Sequence, residues 1–209
     1  LIFMTDVEAV LDAANLCRDL GHEVEEQEPE FDGDVLWLDF TKILAAGVAS
    51  GIDDLYGRTG RIPVEEDFEP FVWMLAERGR QPSASEHLAS VRNIQYQSRK
   101  IGKFFQSYNI WLTPTLGKPP VPLGTFDYSL GEDPFEMRRK MAEFAPFTFI
   151  SNATGQPAAS VPLFWNNQGL PIGVHFVGRF GDEATIFRLA SQLEEARPWA
   201  SKIPPVSIL

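Results

Sequence analysis

Thr-Phe-Ile-Ser-Asn-Ala-Thr-Gly-Gln-Pro-Ala-Ala-Ser-Val-Pro-Leu-Phe-Trp-Asn-Asn-Gln-Gly-Leu-Pro-Ile-Gly-Val-His-Phe-Val-Gly, residues 148–178, decides the fold. Two apolar runs, Ala158–Phe164 and Ile172–Val177, flank the turn signal Asn166-Asn167-Gln168-Gly169, which predicts a hairpin. Pro162 interrupts the first run. A proline donates no backbone N–H, so that strand lies at a sheet edge or carries a bulge. Residues 145–157 read as an apolar, turn-rich loop, and Gly155 suits a turn with positive φ. After the hairpin, Asp182 caps a helix bearing Ile186, Phe187, Leu189, Ala190 and Leu193, which ends before Pro198.

Upstream, the pattern alternates between helices and short strands. Thr5 and Glu8 form a capping box. Val7, Val10, Leu11, Ala14, Cys17 and Leu20 follow at helical spacing, and Gly21 supplies a left-handed stop. The opening Leu1-Ile2-Phe3-Met4 resembles a strand cut in the middle, and His22–Glu26 a short strand. The acidic stretch Glu23–Asp34 is a solvated loop. Helices are predicted over 35–50, with Gly51 as the stop, over 69–77, and from a Ser83/Glu86 capping box to about Tyr108. A buried strand covers 110–112. The Pro- and Gly-rich segment 114–134 is an extended loop, and 134–144 is helical. The order supports an α/β class with a β-sheet flanked by helices, and residues 1–209 read as a single region.

The chain has 209 residues, 44% hydrophobic and 22% charged, enough for one sizeable core or two small ones. A net charge of −11 gives no basic field for phosphate, so nucleic acid is not an expected partner. No apolar run approaches the roughly 20 residues that span a bilayer, so no membrane partner is expected. One cysteine, Cys17, excludes an internal disulfide and suits a reducing, cytoplasmic compartment. Cys17 itself falls at an apolar helical position and reads as core. A chain that opens on a strand without Met reads as a piece of a longer protein or a processed product.

Several chemistries leave no trace. There is no Gly-x-Ser-x-Gly elbow, no phosphate-binding loop and no dinucleotide motif. His22, His87 and His175 are far apart and lack ligand spacing, so neither a metal nor a cofactor is assigned. His175 alternates with Val174 and Phe176, as a sheet residue with a hydrogen-bond partner would. Trp37, Trp73 and Trp111 fall in apolar patterns and are read as packing.

Four blocks in order resemble the C-terminal half of the amidase signature family of serine-dependent amide hydrolases. They are Leu20-Gly21-His22-Glu23-Val24, Tyr108-Asn109-Ile110-Trp111-Leu112-Thr113-Pro114-Thr115, Asn152–Ala158 with Ser160-Val161-Pro162, and Gly169–Gly178 followed by Asp182-Glu183. Each block alone is weak, while the ordered set spans nearly the whole chain. Two positions depart from the pattern: Asn109 stands where Asp is usual, and His175 where Gln is usual. The run Phe180–Thr185 is similar to the subgroup that includes linear-amide and cyclic aminohexanoate-dimer hydrolases.

The resemblance implies the C-terminal half of the amidase fold and a Ser-Ser-Lys mechanism. In that mechanism a neutral, buried Lys relays a proton through one Ser to activate another. None of Lys42, Lys100, Lys103, Lys118, Lys140 and Lys202 stands in a matching context, and no Gly-Gly-Ser-Ser run exists. No catalytic residue is therefore assigned in this chain. The implied partners are a small-molecule amide substrate and an N-terminal half of the same protein. A homo-oligomer is a further expectation, because the sheet surface awaiting that half is apolar. Asn152 and Gln156 are the candidates for ordering the loop at 147–157 or facing substrate. Trp37 and Phe40 could line an apolar acyl pocket, though core packing explains them equally well. Two other readings stay open: a non-catalytic binding or assembly module, and the catalytic component of a tRNA-dependent amidotransferase.

Overall fold

In the computed structural model, residues 4–128 and 133–203 are described. The elements in order are α1 (Met4–Asp19), α2 (Gly33–Thr59), a short 3-10 turn (Glu65–Asp67), α3 (Pro70–Gly79), α4 (Ala84–Phe104) and β1 (Ile110–Pro114). Then come α5 (Pro134–Phe144), α6 (Thr148–Thr154), β2 (Ala158–Trp165), β3 (Pro171–Gly178) and α7 (Glu183–Ala196). They fall into two compact units interleaved in sequence. The first holds residues 1–29, 102–120 and 145–209, and the second holds 30–101 and 121–144.

The first unit is built on a three-stranded antiparallel sheet of order β1-β3-β2. The hairpin is as the turn signal predicts. The Asn166 side chain accepts from the backbone N–H of Gln168 and Leu170, and Gly169 sits at φ +77°. Pro162 lies in a bulge: Val161 pairs with Val174 and Phe164 with Ile172, three steps against two. Strand β2 is also an edge of the described sheet, so the missing proline N–H leaves no ladder bond unmade. One face of the sheet is apolar. Ile172, Val174 and Phe176 of β3 join Ala9, Ala13 and Cys17 of α1 and Ile186, Leu189 and Leu193 of α7 in one buried cluster. Burial pushes the Cys17 thiol above its ordinary range, as a packing role requires.

Helix α1 ends at the stop that Gly21 predicts. The Gly21 N–H reaches Arg18 O and the His22 N–H reaches Cys17 O, the paired bonds of a Schellman motif. Its start differs from expectation, because Thr5 lies inside the first turn rather than capping it. The strand expected at residues 1–4 falls mostly outside the described residues. Residues 22–26 form no ladder; Val24 instead packs its side chain against the core from irregular backbone. Residues 148–154, expected as loop, are helical. Gly155 ends that helix at φ +74° with its N–H on Ser151 O.

The second unit is helical. Helix α2 does not stop at Gly51 but runs to Thr59, and Gly60 at φ +66° ends it. An interior glycine costs a helix about 1 kcal/mol. Beyond it, Ile52 and Tyr56 bury themselves with Ala49 and Ala76, with Phe68 and Val72 packed alongside, which outweighs that cost. Helix α2 is also long and apolar enough, by length and composition, to cross a bilayer, although charged residues interrupt its apolar run. One of those charges, Asp39, is buried and hydrogen-bonded to α4. Such an arrangement suits a helix packed within protein. The Ser83/Glu86 capping box is present: the Ser83 N–H donates to Glu86 Oε2 at 2.8 Å and the Glu86 N–H to Ser83 Oγ at 3.3 Å.

Candidate functional site

Three of the four sequence blocks meet on the sheet. The register aligns Thr113 of β1, His175 of β3 and Ser160 of β2 in one row. His175 is buried, and its Nδ1 lies 3.1 Å from Thr113 Oγ1. Thr113 Oγ1 also donates to Pro114 O at 3.1 Å. Burial holds the His175 imidazole below its ordinary pKa. The expectation that His175 is a sheet residue with a partner agrees with this geometry.

Diagonally from the same row, the Ser160 hydroxyl lies 2.7 Å from that of Thr115. They meet across β3 because residue 173 is glycine. A Cβ there would stand 2.4 Å from Ser160 Oγ and 2.8 Å from Thr115 Oγ1. The Thr115 N–H donates to Gly173 O, fixing the end of β1 beside this pair. The sequence could not show this hydroxyl bridge, because strand register decides which side chains meet.

The second feature is the turn from α6 into β2. Gln156 is buried and its Nε2 donates to Gly178 O at 2.8 Å. That bond orients the carboxamide and leaves Oε1 buried with no partner among the described residues. The Gly178 N–H in turn bonds Pro157 O, so the turn is tied to the end of β3 at two points. Asn152 is exposed on α6. Nearby, the Phe180 ring lies against Gly155, where a Cβ would stand 3.1 Å from Cε2.

Trp37 and Phe40 belong to the second unit, on α2. Both are half-buried, and the Trp37 indole N–H is buried without an acceptor among the described residues. On the same helix, Asp39 Oδ1 accepts from Ser90 Oγ at 2.7 Å and Lys42 Nζ at 3.2 Å, and Oδ2 accepts from Asn93 at 2.8 Å. Burial alone would raise the Asp39 carboxyl; the Ser90 and Asn93 bonds and Lys42 outweigh it and hold the group below the usual carboxylate range. The cluster ties α2 to α4. Among the described residues no group of three or more His, Cys, Asp or Glu could hold a metal ion.

The Thr-Pro-Thr, Ser-Val-Pro and Gly-Leu-Pro-Ile-Gly blocks thus lie together on the sheet of an α/β scaffold. Residues 5–187 match the family model described as Amidase. The chain belongs to the amidase family. It is 30% identical over 199 residues to the 6-aminohexanoate-cyclic-dimer hydrolase of Paenarthrobacter ureafaciens, over 92% of this chain and 40% of that protein. A solved structure of 6-aminohexanoate cyclic dimer hydrolase complexed with substrate is similar, with a TM-score of 0.85 and 27% identity, over 95% of this chain and 42% of that one. The glutamyl-tRNA(Gln) amidotransferase structure from Thermotoga maritima shares the fold, with a TM-score of 0.58 at 20% identity over 95% of this chain and 40% of that one. The chain spans about 40% of the length of the first curated relatives it matches.

Proposed function

We propose that this chain is the site-shaping part of an amidase that hydrolyses carbon–nitrogen bonds of small-molecule amides. The nucleophilic Ser, bridging Ser and Lys base come from protein outside residues 1–209. The chain alone turns nothing over. The observation that carries this reading is the convergence of the sequence blocks on one sheet, in a chain whose family is set by residues 5–187. Physically, the chain's contribution is rigidity. The Thr113–His175 and Thr115–Ser160 contacts and the Gln156 anchor fix three segments whose positions a hydrolytic site would need to hold closely.

The subgroup reading is part of the proposal: the substrates are linear aliphatic or cyclic oligomeric amides. So is a cytoplasmic location, which suits a single unpaired cysteine. Self-association is included too, and the exposed Met4 and Leu11 on α1 are apolar groups it could cover. Asn152 and Gln156 order the loop at 147–157 or face substrate, and Trp37 and Phe40 line an apolar acyl pocket.

The test is ammonia release from simple aliphatic amides by the full-length protein and by the 209-residue chain. Turnover by the first and none by the second supports the proposal. Turnover by the isolated chain refutes the division of labour. No turnover by the full-length protein on any amide favours a non-catalytic assembly module. Glutamine-dependent activity with co-purifying protein partners favours the amidotransferase reading.

A further inference from the structure

Two adjacent arginines on α5 meet opposite surroundings. Arg139 lies on the exposed side of the helix and pairs with Glu136 at 3.0 Å and Glu143 at 2.7 Å. Arg138 is half-buried, and its Nε is fully buried with no hydrogen-bond partner among the described residues. Phe135, Met141 and Ala142, three or four positions away on the same side of α5, are half-buried and apolar. Burial pulls the Arg138 guanidinium below its ordinary pKa range, with no carboxylate opposing the shift. All of α5 lies in the second unit.

A guanidinium keeps its proton at neutral pH, so it cannot escape burial by becoming neutral. Burying such a charge without a counter-charge is strongly unfavourable. Carboxylates are not scarce in this chain, which carries 29 Asp and Glu, yet among the described residues none pairs with Arg138. The cost of burying Nε is incurred whenever the chain is folded. Its compensation must be equally constant, which a fixed protein carboxylate provides and a substrate that comes and goes does not. The first curated relatives have room for one, because the chain spans 40% of their length.

We propose that Arg138 is a docking point for an Asp or Glu in the part of the protein outside residues 1–209. The two carboxylate oxygens accept from Nε and one terminal nitrogen, the side-on geometry of a bidentate pair. The apolar side of α5 shields the pair from water, which strengthens it. The inference rests on the reading that this chain works with protein beyond it, and it names one contact between the two.

The experiment uses the full-length protein that carries this chain. Arg138→Met keeps the length of the side chain and removes the charge. It strands the partner carboxylate, so the folding equilibrium constant from urea denaturation should fall about a hundredfold or more. Arg138→Lys keeps a charge and should recover part of that loss. It also places an amine at position 138, which a zero-length carbodiimide can join to the carboxylate beside it. Peptide mass spectrometry should find that amide bond to one Asp or Glu outside residues 1–209. Replacing that acid with Leu should add little further loss to Arg138→Met.

A raised or unchanged urea midpoint in Arg138→Met overturns the pair, because removing an unpartnered charge does not destabilise. An unchanged midpoint with weakened binding of succinamate, a carboxylate-bearing amide, assigns the guanidinium to a soluble anion instead. A cross-link to Glu132 or any other carboxylate of residues 1–209, a cross-linked dimer, or a lowered midpoint with no cross-link also overturns it. Ammonia release from aliphatic amides is read separately. A protein that hydrolyses none of them yet gives the expected cross-link keeps the pair and rejects the amidase reading.

Discussion

Replacing Gly173 with Ala should break the hydroxyl bridge that joins Thr115, at the end of β1, to β2. The added Cβ would stand 2.4 Å from Ser160 Oγ, 2.8 Å from Thr115 Oγ1 and 3.3 Å from Thr115 Cβ. All three are inside ordinary contact, so both side chains must move. Losing the hydroxyl bond costs about 1 kcal/mol. Overpacking adds about 1–3 kcal/mol. Restricting the unfolded chain returns about 0.4–1 kcal/mol, since Gly173 does not need positive φ. The net loss is about 2 kcal/mol. Urea denaturation and thermal melts of the full-length protein measure it. The double variant Ser160→Ala/Gly173→Ala removes the nearest clashing atom, so it should be clearly less destabilised than the sum of the singles. A neutral Gly173→Ala, or strict additivity, would refute this geometry.

Asp39→Ala should destabilise by about 3 kcal/mol, because it leaves Ser90 and Asn93 without their buried acceptor; chemical denaturation reads this directly. The Asp39 carboxyl is depressed, so its stabilisation is complete above the ordinary carboxylate range and is lost as pH falls through its lower folded value. His175 is also depressed. The unfolded state therefore binds the extra proton first, and stability should decline as pH drops below about 6.5. His175→Gln should flatten that part of a denaturation-against-pH profile, and an unchanged slope would show that His175 is not its source. Gln156→Ala should cost about 1–2 kcal/mol through the lost bond to Gly178 O. It should also speed amide exchange at the α6–β2 turn; unaltered exchange there would remove its ordering role.

Much of the architecture is legible in the sequence because local signals and burial agree. The Asn166–Gly169 turn, the Ser83/Glu86 box, the Asp182 cap and the Gly21 stop each satisfy backbone groups nearby in sequence. Expectation and structure part where distant packing overrides a local rule. Gly51 does not end α2 because Ile52 and Tyr56 bury against α3 and its flanking turn. Residues 148–154 are helical because the positive φ at Gly155 serves as a helix stop, a use that its turn propensity alone does not reveal. The candidate site is half legible. His175 reads as a hydrogen-bonding sheet residue and makes such a bond, and the carboxamide of Gln156, read as ordering its loop or facing substrate, bonds Gly178 O. The Thr115–Ser160 bridge depends on strand register, and the placement of Phe180 depends on its tertiary contact with Gly155. Neither leaves a periodic or motif signal.

If this chain shapes a hydrolytic site, the nucleophile lies elsewhere in the protein. Labelling the full-length protein with a serine-reactive fluorophosphonate and mapping the adduct by peptide mass spectrometry probes that division directly. The expected result is one modified Ser outside residues 1–209, with labelling abolished by a competing amide substrate. An adduct on Ser160 or any other serine of this chain, or no labelling of a protein that hydrolyses amides, would contradict it.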